Sequence, residues 1–468
     1  MKKKIVIIGG GPGGYAAALH ASLLGAEATL IEHDKIGGTC LNRGCIPSKI
    51  LNYSAKTLNL IQKAHQLGID IKQPPSLNIK NLITRKTRII ETQIKGLLNL
   101  IKTKKISYIQ GKASIKDNKT VRITDKKGKT SDLTYDKLII ASGSKPLQLP
   151  PVPFNKNTVI SSDEALNISE LPETILIIGA GVIGCEFASV FSLFGTKVTI
   201  VEALDRVLPI PGIDQNISKI LSREMKKRKI KTLLNKTVIS AENKNGKIET
   251  TIGDFLSDTK KTDKITTDKV LVCIGRAADT KPLQLDNIGI KIDEKGWIVA
   301  NNRMQTNIEN IYAIGDVLGP EKIMLAHCAS YEGRVAAENA IGVKSAMHYN
   351  TIPSAIFTAP EIGSVGITET EAKEKNIKVL SETILFRTLG KAHVIGEIEG
   401  EAKIIFDADN QKILGVHIIG AHATDLIAEG ALAVKNQITV KRLAETIHAH
   451  PTLSEIMGEV SYKALFEM

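Results

Sequence analysis

Short, wholly apolar runs alternate along the chain with longer amphipathic stretches, the pattern of buried parallel strands joined through helices. Lys4–Ile8 is β-branched and apolar after its first residue, and predicts a buried strand. Residues 15–24 follow with helix-like composition, and a second strand is expected over 28–31, ending at the acid Glu32. The same succession returns at Thr174–Ile178 and Lys197–Val201, the latter running into Glu202. Segments 135–143 (YDKLIIASG) and 267–275 (TDKVLVCIG) echo one another at an offset of 132 residues. Each half also carries a lysine-rich, turn-rich insert, about 102–132 and 242–266, expected to form a small antiparallel meander.

The remaining segments fill in around this repeat. Residues 46–105 predict a largely helical insertion interrupted at Pro74-Pro75, and 277–347 contain TNIENIYAIGD, a strand that delivers Asp316 to a phosphate- or ribityl-facing position. Residues 348–468 predict an α+β tail, with strands over 402–406 and 413–418 and helices at about 425–435 and 441–447. Two stretches imitate targeting signals: the N-terminus, basic and then apolar, and residues 175–195, which would pass as a membrane helix by hydropathy. Both carry spaced glycines at a strand-to-helix break, so cleavage or insertion would destroy the turn described next. A soluble, cytoplasmic chain without membrane contact is expected.

Between the first strand and its helix lie Gly9, Gly11 and Gly14, spaced G-x-G-x-x-G. In that setting the first glycine permits a tight turn, the second lets the backbone approach a pyrophosphate, and the third lets helix and strand pack closely. The helix start offers N–H groups and a positive dipole end, and Glu32 can bond ribose hydroxyls. One such fingerprint is weak evidence. Here Gly9, Gly11, Gly14 and Glu32 recur 170 residues later as Gly179, Gly181, Gly184 and Glu202. Two dinucleotide sites are expected.

Charge and cysteine content narrow the class. The net charge of +13 raises the question of nucleic acid, but 50 of the 62 basic residues are lysine, spread over most of the chain. Nucleic-acid readers lean on arginine and stacking aromatics, and the lysine runs contain no aromatic residue. A solvated lysine surface and no nucleic-acid partner are expected. Five cysteines in 468 residues are not a disulfide scaffold and suggest a reducing compartment.

Two of those cysteines stand in GGTCLNRGCIPSK, at Cys40 and Cys45. On an ideal helix residues five apart have Cα atoms roughly 8 to 9 Å apart, beyond disulfide reach. A bridge therefore needs a distorted helix start, which Gly44 permits, and would be readily reduced. Two buried thiols are the plain alternative for this spacing alone, and zinc is disfavoured because no second ligand pair has the spacing. Lys49 lies one turn past Cys45 and would favour a thiolate there, if it is not a solvated surface lysine. Glu186, a lone acid in the apolar segment 182–194, needs a partner, for which Lys49 is the candidate. Cys185, Cys273 and Cys328 read as small core residues. Near the C-terminus, HAHPTLSE places Glu455 in the opening turns of a helix that Pro451 can begin. Glu455 would hold His450 as a general base, and an ordinary helix cap explains the segment equally well.

These motifs together, with IYAIGD and MLAH (324–327), resemble the pyridine nucleotide–disulfide oxidoreductases essentially end to end, and most closely the members that oxidise dihydrolipoyl groups. The resemblance implies an α/β fold: two doubly wound dinucleotide-binding domains, for FAD and NAD, plus an α+β dimerisation domain. It implies an FAD domain at 1–147, an NAD domain at 148–276, a central domain at 277–347 and an interface domain at 348–468. FAD would be held by Gly9, Gly11, Gly14, Glu32, Thr39, Lys49, Ala113, Ser142, Gly143, Asp316, Met324, Leu325, Ala326 and His327. NAD would be held by Gly179, Gly181, Val182, Ile183, Gly184, Glu202, Val238 and Gly275. No metal is implied. Cys45 would be the flavin-side thiol and Cys40 the thiol that exchanges with substrate. His450, oriented by Glu455, would serve the disulfide of the other subunit of a homodimer, with Lys49 and Glu186 supporting the catalytic group.

The implied partners are lipoyl domains of 2-oxoacid dehydrogenase complexes or of the glycine-cleavage carrier. Members of the family often dock a basic subunit-binding domain through acidic surface, and a charge of +13 runs against that docking. Ala141-Ser142-Gly143 stands where Ala-Thr-Gly is commoner, and Met1 begins almost on the first strand, so no fused lipoyl domain is expected. Rival readings are another disulfide reductase of the family, or a lysine-rich binding or adhesin role with a structural flavin. Against NADP-using relatives stands the Glu202-Ala203 strand end, where an acid would repel a 2′-phosphate.

Overall fold

A computed structural model describes residues 2–256 and 262–466. The chain divides into two compact units, one of residues 1–51, 78–147 and 275–349 and one of residues 52–77, 148–274 and 350–468.

The first unit is built on a five-stranded parallel sheet ordered Ile311–Ala313, Lys137–Ile140, Lys4–Ile8, Glu27–Glu32, Ser107–Gln110. Its central strands are buried on both faces, which is why they read as unbroken apolar runs rather than alternating ones. The helix Pro12–Leu23 follows the first strand and packs against Ala326–Ile341. That approach is close: a Cβ at Gly333 would lie 2.4 Å from the Gly13 carbonyl oxygen. The expected meander exists but is displaced. The helix Ile79–Thr103 fills the start of the span, and Ser107–Gln110 joins the parallel sheet beside Glu27–Glu32. The antiparallel strands are Lys112–Asp117, Thr120–Thr124 and Thr130–Thr134.

The second unit repeats this plan: Lys231–Leu233, Lys197–Val201, Thr174–Ile178, Lys269–Val272 and Val159–Ile160 form a parallel sheet. Its meander is Lys236–Lys244, Lys247–Asp254 and Thr262–Thr267, and part of the expected 242–266 insert lies outside the described residues. The stretch 175–195 is a strand and then the helix Val182–Leu193, and among the described residues no helix is long and apolar enough to cross a membrane.

Residues 354–420 of the same unit supply an antiparallel sheet ordered Ser354–Ile356, Glu361–Gly366, Ile413–Gly420, Glu401–Asp407, Val379–Leu385. The helices Ala423–Lys435, Val440–Ala444 and Glu455–Ala464 contribute to its core, including Ile427, Leu443, Ile456 and Val460. Two sequence expectations shift here. The helix expected to 447 ends at Ala444, and the last helix begins at Glu455, not at Pro451. The residues between are drawn into side-chain contacts that a continuous helix could not make, as described below.

Candidate active site

The two glycine turns have the same geometry, down to individual hydrogen bonds. Gly9 has φ +106° and Gly179 φ +100°, and a Cβ would lie 2.2 Å from the Ala141 carbonyl oxygen in one and 2.5 Å from that of Cys273 in the other. Gly14 and Gly184 would clash with the carbonyls of Gly9 and Gly179 at 1.8 and 2.0 Å. The middle glycines differ: a Cβ at Gly11 meets nothing nearer than 3.9 Å, and one at Gly181 meets nothing within 4 Å. First and third glycines are thus required by the protein's own backbone, whereas the second faces open space at a helix start. That is the cradle a pyrophosphate fits.

In the first unit, the Glu32 carboxylate accepts the N–H groups of Gly10 at 2.7 Å and Asp34 at 2.7 Å. Burial pushes its carboxyl up, but the His33 contact and these two N–H groups outweigh it and hold Glu32 ionised below the usual carboxylate range. The Gly111 N–H donates to the Glu32 carbonyl, so the strand carrying the buried Ala113 starts beside it. The Ser142 hydroxyl, next to Gly143, is buried and has no hydrogen-bond partner among the described residues, which also fits a bound dinucleotide.

The cysteine segment is fastened to this turn. Gly37 donates to the Gly10 carbonyl at 2.8 Å, and a Cβ at Gly38 would lie 2.7 Å from Gly11 Cα. A short helix, Gly38–Arg43, carries Thr39 and Cys40, and after Gly44 a second helix, Cys45–Gln62, begins at Cys45. The break at Gly44 replaces the single helix that would have kept the thiols apart. The two cysteine side chains are hydrogen-bonded to each other. That bond, burial and the charge of Cys45 push the Cys40 thiol far up, against a smaller opposing pull from Lys49. Cys40 is therefore held as a thiol, while Cys45 stands at the positive end of a helix with Lys49 one turn on, a setting that favours negative charge there.

Asp316 sits in the turn Gly315–Leu318 and accepts the Ser144 hydroxyl at 2.6 Å. Arg276 reaches the same oxygens, with Nε 2.5 Å from Ser144 Oγ and 3.5 Å from Asp316 Oδ2. The turn is pinned from behind by Glu332, whose Oε2 accepts the Gly315 N–H at 2.6 Å and whose Oε1 accepts the Tyr349 hydroxyl at 2.7 Å. Met324 and Leu325 lead into the helix start at Ala326 and His327. Sequence reasoning missed Arg276, Ser144 and Glu332. Glu332 lacked the signal of Glu186, because its helix also carries the exposed His327, Tyr331 and Arg334.

In the second unit, Glu202 mirrors Glu32, accepting the Ala180 N–H at 2.6 Å and the Leu204 N–H at 2.9 Å. Val182, Ile183 and Gly184 form the opening turn of the Val182–Leu193 helix. Val238 does not present its side chain to this turn: it packs in the core with Leu176, Ile178 and Val201, so only its backbone is available. Gly275, the first residue of the 275–349 stretch of the first unit, has φ +129° and open space in front of it. Glu186 is buried, and its Oε1 accepts the Phe357 N–H at 2.9 Å, a partner the sequence did not suggest.

The C-terminal pair forms as expected. His450 Nδ1 is 2.8 Å from Glu455 Oε1, and the other carboxylate oxygen accepts the Thr452 N–H at 2.9 Å. The His450 side chain is 75% exposed, with its Nε2 edge outward. An ordinary helix cap would bond the carboxylate to backbone alone, whereas here it holds an exposed imidazole in one tautomer.

Residues 3–333 match the family described as pyridine nucleotide-disulphide oxidoreductase, and residues 352–461 match its dimerisation domain, so the chain carries the means to form a homodimer. The chain is 41% identical over 463 residues to the dihydrolipoyl dehydrogenase of Chlamydia muridarum, covering 98% of this chain and 96% of that one. It is 39% identical over 472 residues to that of Bacillus subtilis, covering 98% and 97%. Among solved structures it superposes on LpdA of Mycobacterium tuberculosis with a TM-score of 0.91, 25% identity and 99% of each chain covered. For the HOCl-induced flavoprotein disulfide reductase RclA of Escherichia coli the TM-score is 0.84 at 26% identity, covering 98% and 99%. The chain is an oxidoreductase that uses FAD and NAD, and it belongs to the pyridine nucleotide-disulphide oxidoreductase family.

Proposed function

We propose that the chain works in the cytoplasm as a homodimer that oxidises dihydrolipoyl groups to lipoyl groups with NAD⁺ as acceptor. The observation that carries this reading is the hydrogen-bonded Cys40–Cys45 pair, fastened to a dinucleotide turn in a chain whose full-length relatives bear that activity in their names. FAD fits the first unit, on Gly9, Gly11, Gly14, Glu32, Thr39, Lys49, Ala113, Ser142, Gly143, Asp316 and the 324–327 helix start. When bound it supplies the two-electron relay between the dithiol and NAD⁺.

The chain's own residues do the rest. His450, serving the disulfide of the other subunit, takes a proton from the dihydrolipoyl dithiol, and Glu455 holds the resulting imidazolium. The substrate thiolate attacks Cys40 of the oxidised pair, the Cys40–Cys45 bond breaks, and Cys45 leaves as a thiolate. The second substrate sulfur then attacks the mixed disulfide, closing the lipoyl ring and releasing Cys40. One disulfide is reduced and one dithiol oxidised. Lys49 and the helix N-terminus stabilise the charge on Cys45.

Nucleotide choice rests on Glu202. Its charge faces the ribose position, and Arg206, the nearest basic residue along the strand end, is turned away, donating to the Ile213 carbonyl and Ser218 hydroxyl. A 2′-phosphate there would meet the Glu202 carboxylate, with Arg206 engaged elsewhere. The test is turnover of the purified, yellow holoenzyme. Lipoamide should be reduced with NADH, and NADPH should be poorer by orders of magnitude in kcat/KM. Efficient reduction of another disulfide without lipoamide turnover, or equal rates with NADPH, would refute the reading. Recovery of lipoyl-bearing proteins with the native dimer would identify the complex served.

A further inference from the structure

The HAHP segment holds a second histidine–carboxylate pair. His448 Nε2 lies 2.8 Å from Glu429 Oε1, and its side chain is 10% exposed, against 75% for His450. Glu429 belongs to the helix Ala423–Lys435. The opposite edge of the imidazole rests on another helix: a Cβ at Gly458 would lie 2.8 Å from His448 Nδ1. Gly458 is in the first turn of Glu455–Ala464, the helix that Glu455 begins. The His448 ring therefore spans two helices, one bearing Glu429 and the other bearing the acid that holds His450.

This arrangement answers a mechanical question. His450 is too exposed for packing to fix it, and its ring is held by the Glu455 carboxylate. A base must nonetheless be placed to well within an ångström of the proton it removes. Two residues before His450, the chain is fixed by a directional bond and by a ring seated in a glycine notch. An apolar side chain could fill that notch with no loss of burial, so the pair is weak evidence of added stability, whereas its bond specifies an orientation. His448 also favours the ionised form of Glu455, after the larger effects of His450 and the Thr452 N–H.

We infer that Glu429 and His448 are positioning residues for the thiol-oxidising half of the reaction, acting through the backbone of 448–450 and through Glu455. This inference rests on the reading of His450 as the base. The experiment uses the FAD-loaded dimer of four variants: Glu429→Ala, Glu429→Gln, His448→Phe and His450→Gln. Dihydrolipoamide oxidation, NADH-dependent dye reduction, FAD content and dimer mass are measured for each.

Glu429→Ala should lose roughly tenfold in kcat for dihydrolipoamide, with KM within about twofold, because misplacing a reacting group acts on the chemical step. Glu429→Gln should recover most of that loss, since the amide oxygen still accepts the Nε2–H. His448→Phe should fill the notch and restore packing yet behave like Glu429→Ala. Dye reduction, FAD content and dimer mass should stay as in the wild type. Three results would each overturn the inference: wild-type kcat in Glu429→Ala, no rescue by glutamine, or a parallel loss of dye reduction. An active His450→Gln would instead sink the reading of His450 itself, which separates the two failures.

Discussion

His450 Nδ1 and Glu455 Oε1 stand 2.8 Å apart, and the Thr452 N–H holds the second carboxylate oxygen of Glu455 so that it cannot swing away. The hydrogen bond to His450, then that from Thr452, keeps the Glu455 carboxyl below the usual carboxylate range. An ionised partner fixes the tautomer in which Nε2 is free to accept a proton. His450→Gln should then lose about two to four orders of magnitude in lipoamide turnover, the usual worth of a general base. Glu455→Gln should lose less, in the same direction. Stopped-flow separation of the two half-reactions checks this: a slow flavin–NADH step in His450→Gln would contradict the assignment.

The shared site can be tested by complementation. A dimer pairing one His450→Gln chain with one Cys45→Ser chain has one site in which an intact disulfide meets an intact base. Under two-fold symmetry that heterodimer should recover up to about half of wild-type activity. Purified heterodimers no more active than the two parents would exclude a base acting across the interface.

The proposed order of the two thiols, with Cys45 towards the flavin, has a spectroscopic test. Cys40 is held protonated by its bond to Cys45, by burial and by the charge of Cys45, and Cys45 stands at a helix N-terminus. Cys40→Ser should leave a thiolate at Cys45 and show a long-wavelength charge-transfer absorbance with oxidised flavin, without added reductant. Cys45→Ser should show none. Equal spectra from the two variants would mean that the order is wrong.

What the sequence revealed and what it hid divide along a physical line. Gly9, Gly14 and their counterparts Gly179 and Gly184 were legible because backbone carbonyls within 2.5 Å of a would-be Cβ admit no other residue. The acids Glu32 and Glu202 were legible because each ends a strand at a fixed distance from its glycines. Helix ends were less so, since the 445–454 loop is set by contacts such as His448 with Glu429, 19 residues away. Arg276 with Ser144, 132 residues apart, and Glu332 with the Asp316 turn were illegible for the same reason. Through-space pairs leave no periodic trace, and Glu186, a lone acid in an apolar segment, was a local sign of a buried partner that neither Arg276 nor Glu332 had.

Glu332 offers a test of that kind of hidden support. It is buried, and burial, its largest influence, raises its carboxyl above the usual range, with the Tyr349 hydroxyl and Gly315 N–H opposing. Glu332→Ala would leave the Gly315 N–H without its acceptor, a loss of about 1–3 kcal/mol, and slacken the turn that carries Asp316. Apoprotein of this variant should bind FAD more weakly than wild type by equilibrium dialysis, and Glu332→Gln, which keeps one acceptor oxygen, should fall between. FAD bound as tightly by Glu332→Ala as by wild type would show that the turn stands without it.

His417 predicts how the fold responds to acid. It is 1% exposed on the strand Ile413–Gly420, with Nε2 3.0 Å from the Ile367 carbonyl oxygen, which makes Nε2 the N–H and Nδ1 the acceptor. Nδ1 has no hydrogen-bond partner among the described residues. Burial holds its pKa below the ordinary 6.5, aided by Lys403 and opposed by the Ile367 carbonyl, Asp214 and Glu371. The folded state therefore keeps His417 neutral where the unfolded chain takes a proton. Its contribution is complete above pH 6.5 and declines as the pH falls from 6.5 towards the folded-state value, by up to about 1.4 kcal/mol per pH unit. His417→Gln can still donate to the Ile367 carbonyl but cannot titrate. Its thermal midpoint, taken at one heating rate between pH 7.5 and 5, should fall less steeply than that of the wild type, by on the order of 2 °C per pH unit. Because the lysine-rich surface charge is common to both proteins, its repulsion cancels from the comparison. Parallel midpoint curves would show that the imidazole is protonated in the fold and that the Nδ1 position is not the acceptor inferred from its bond to Ile367.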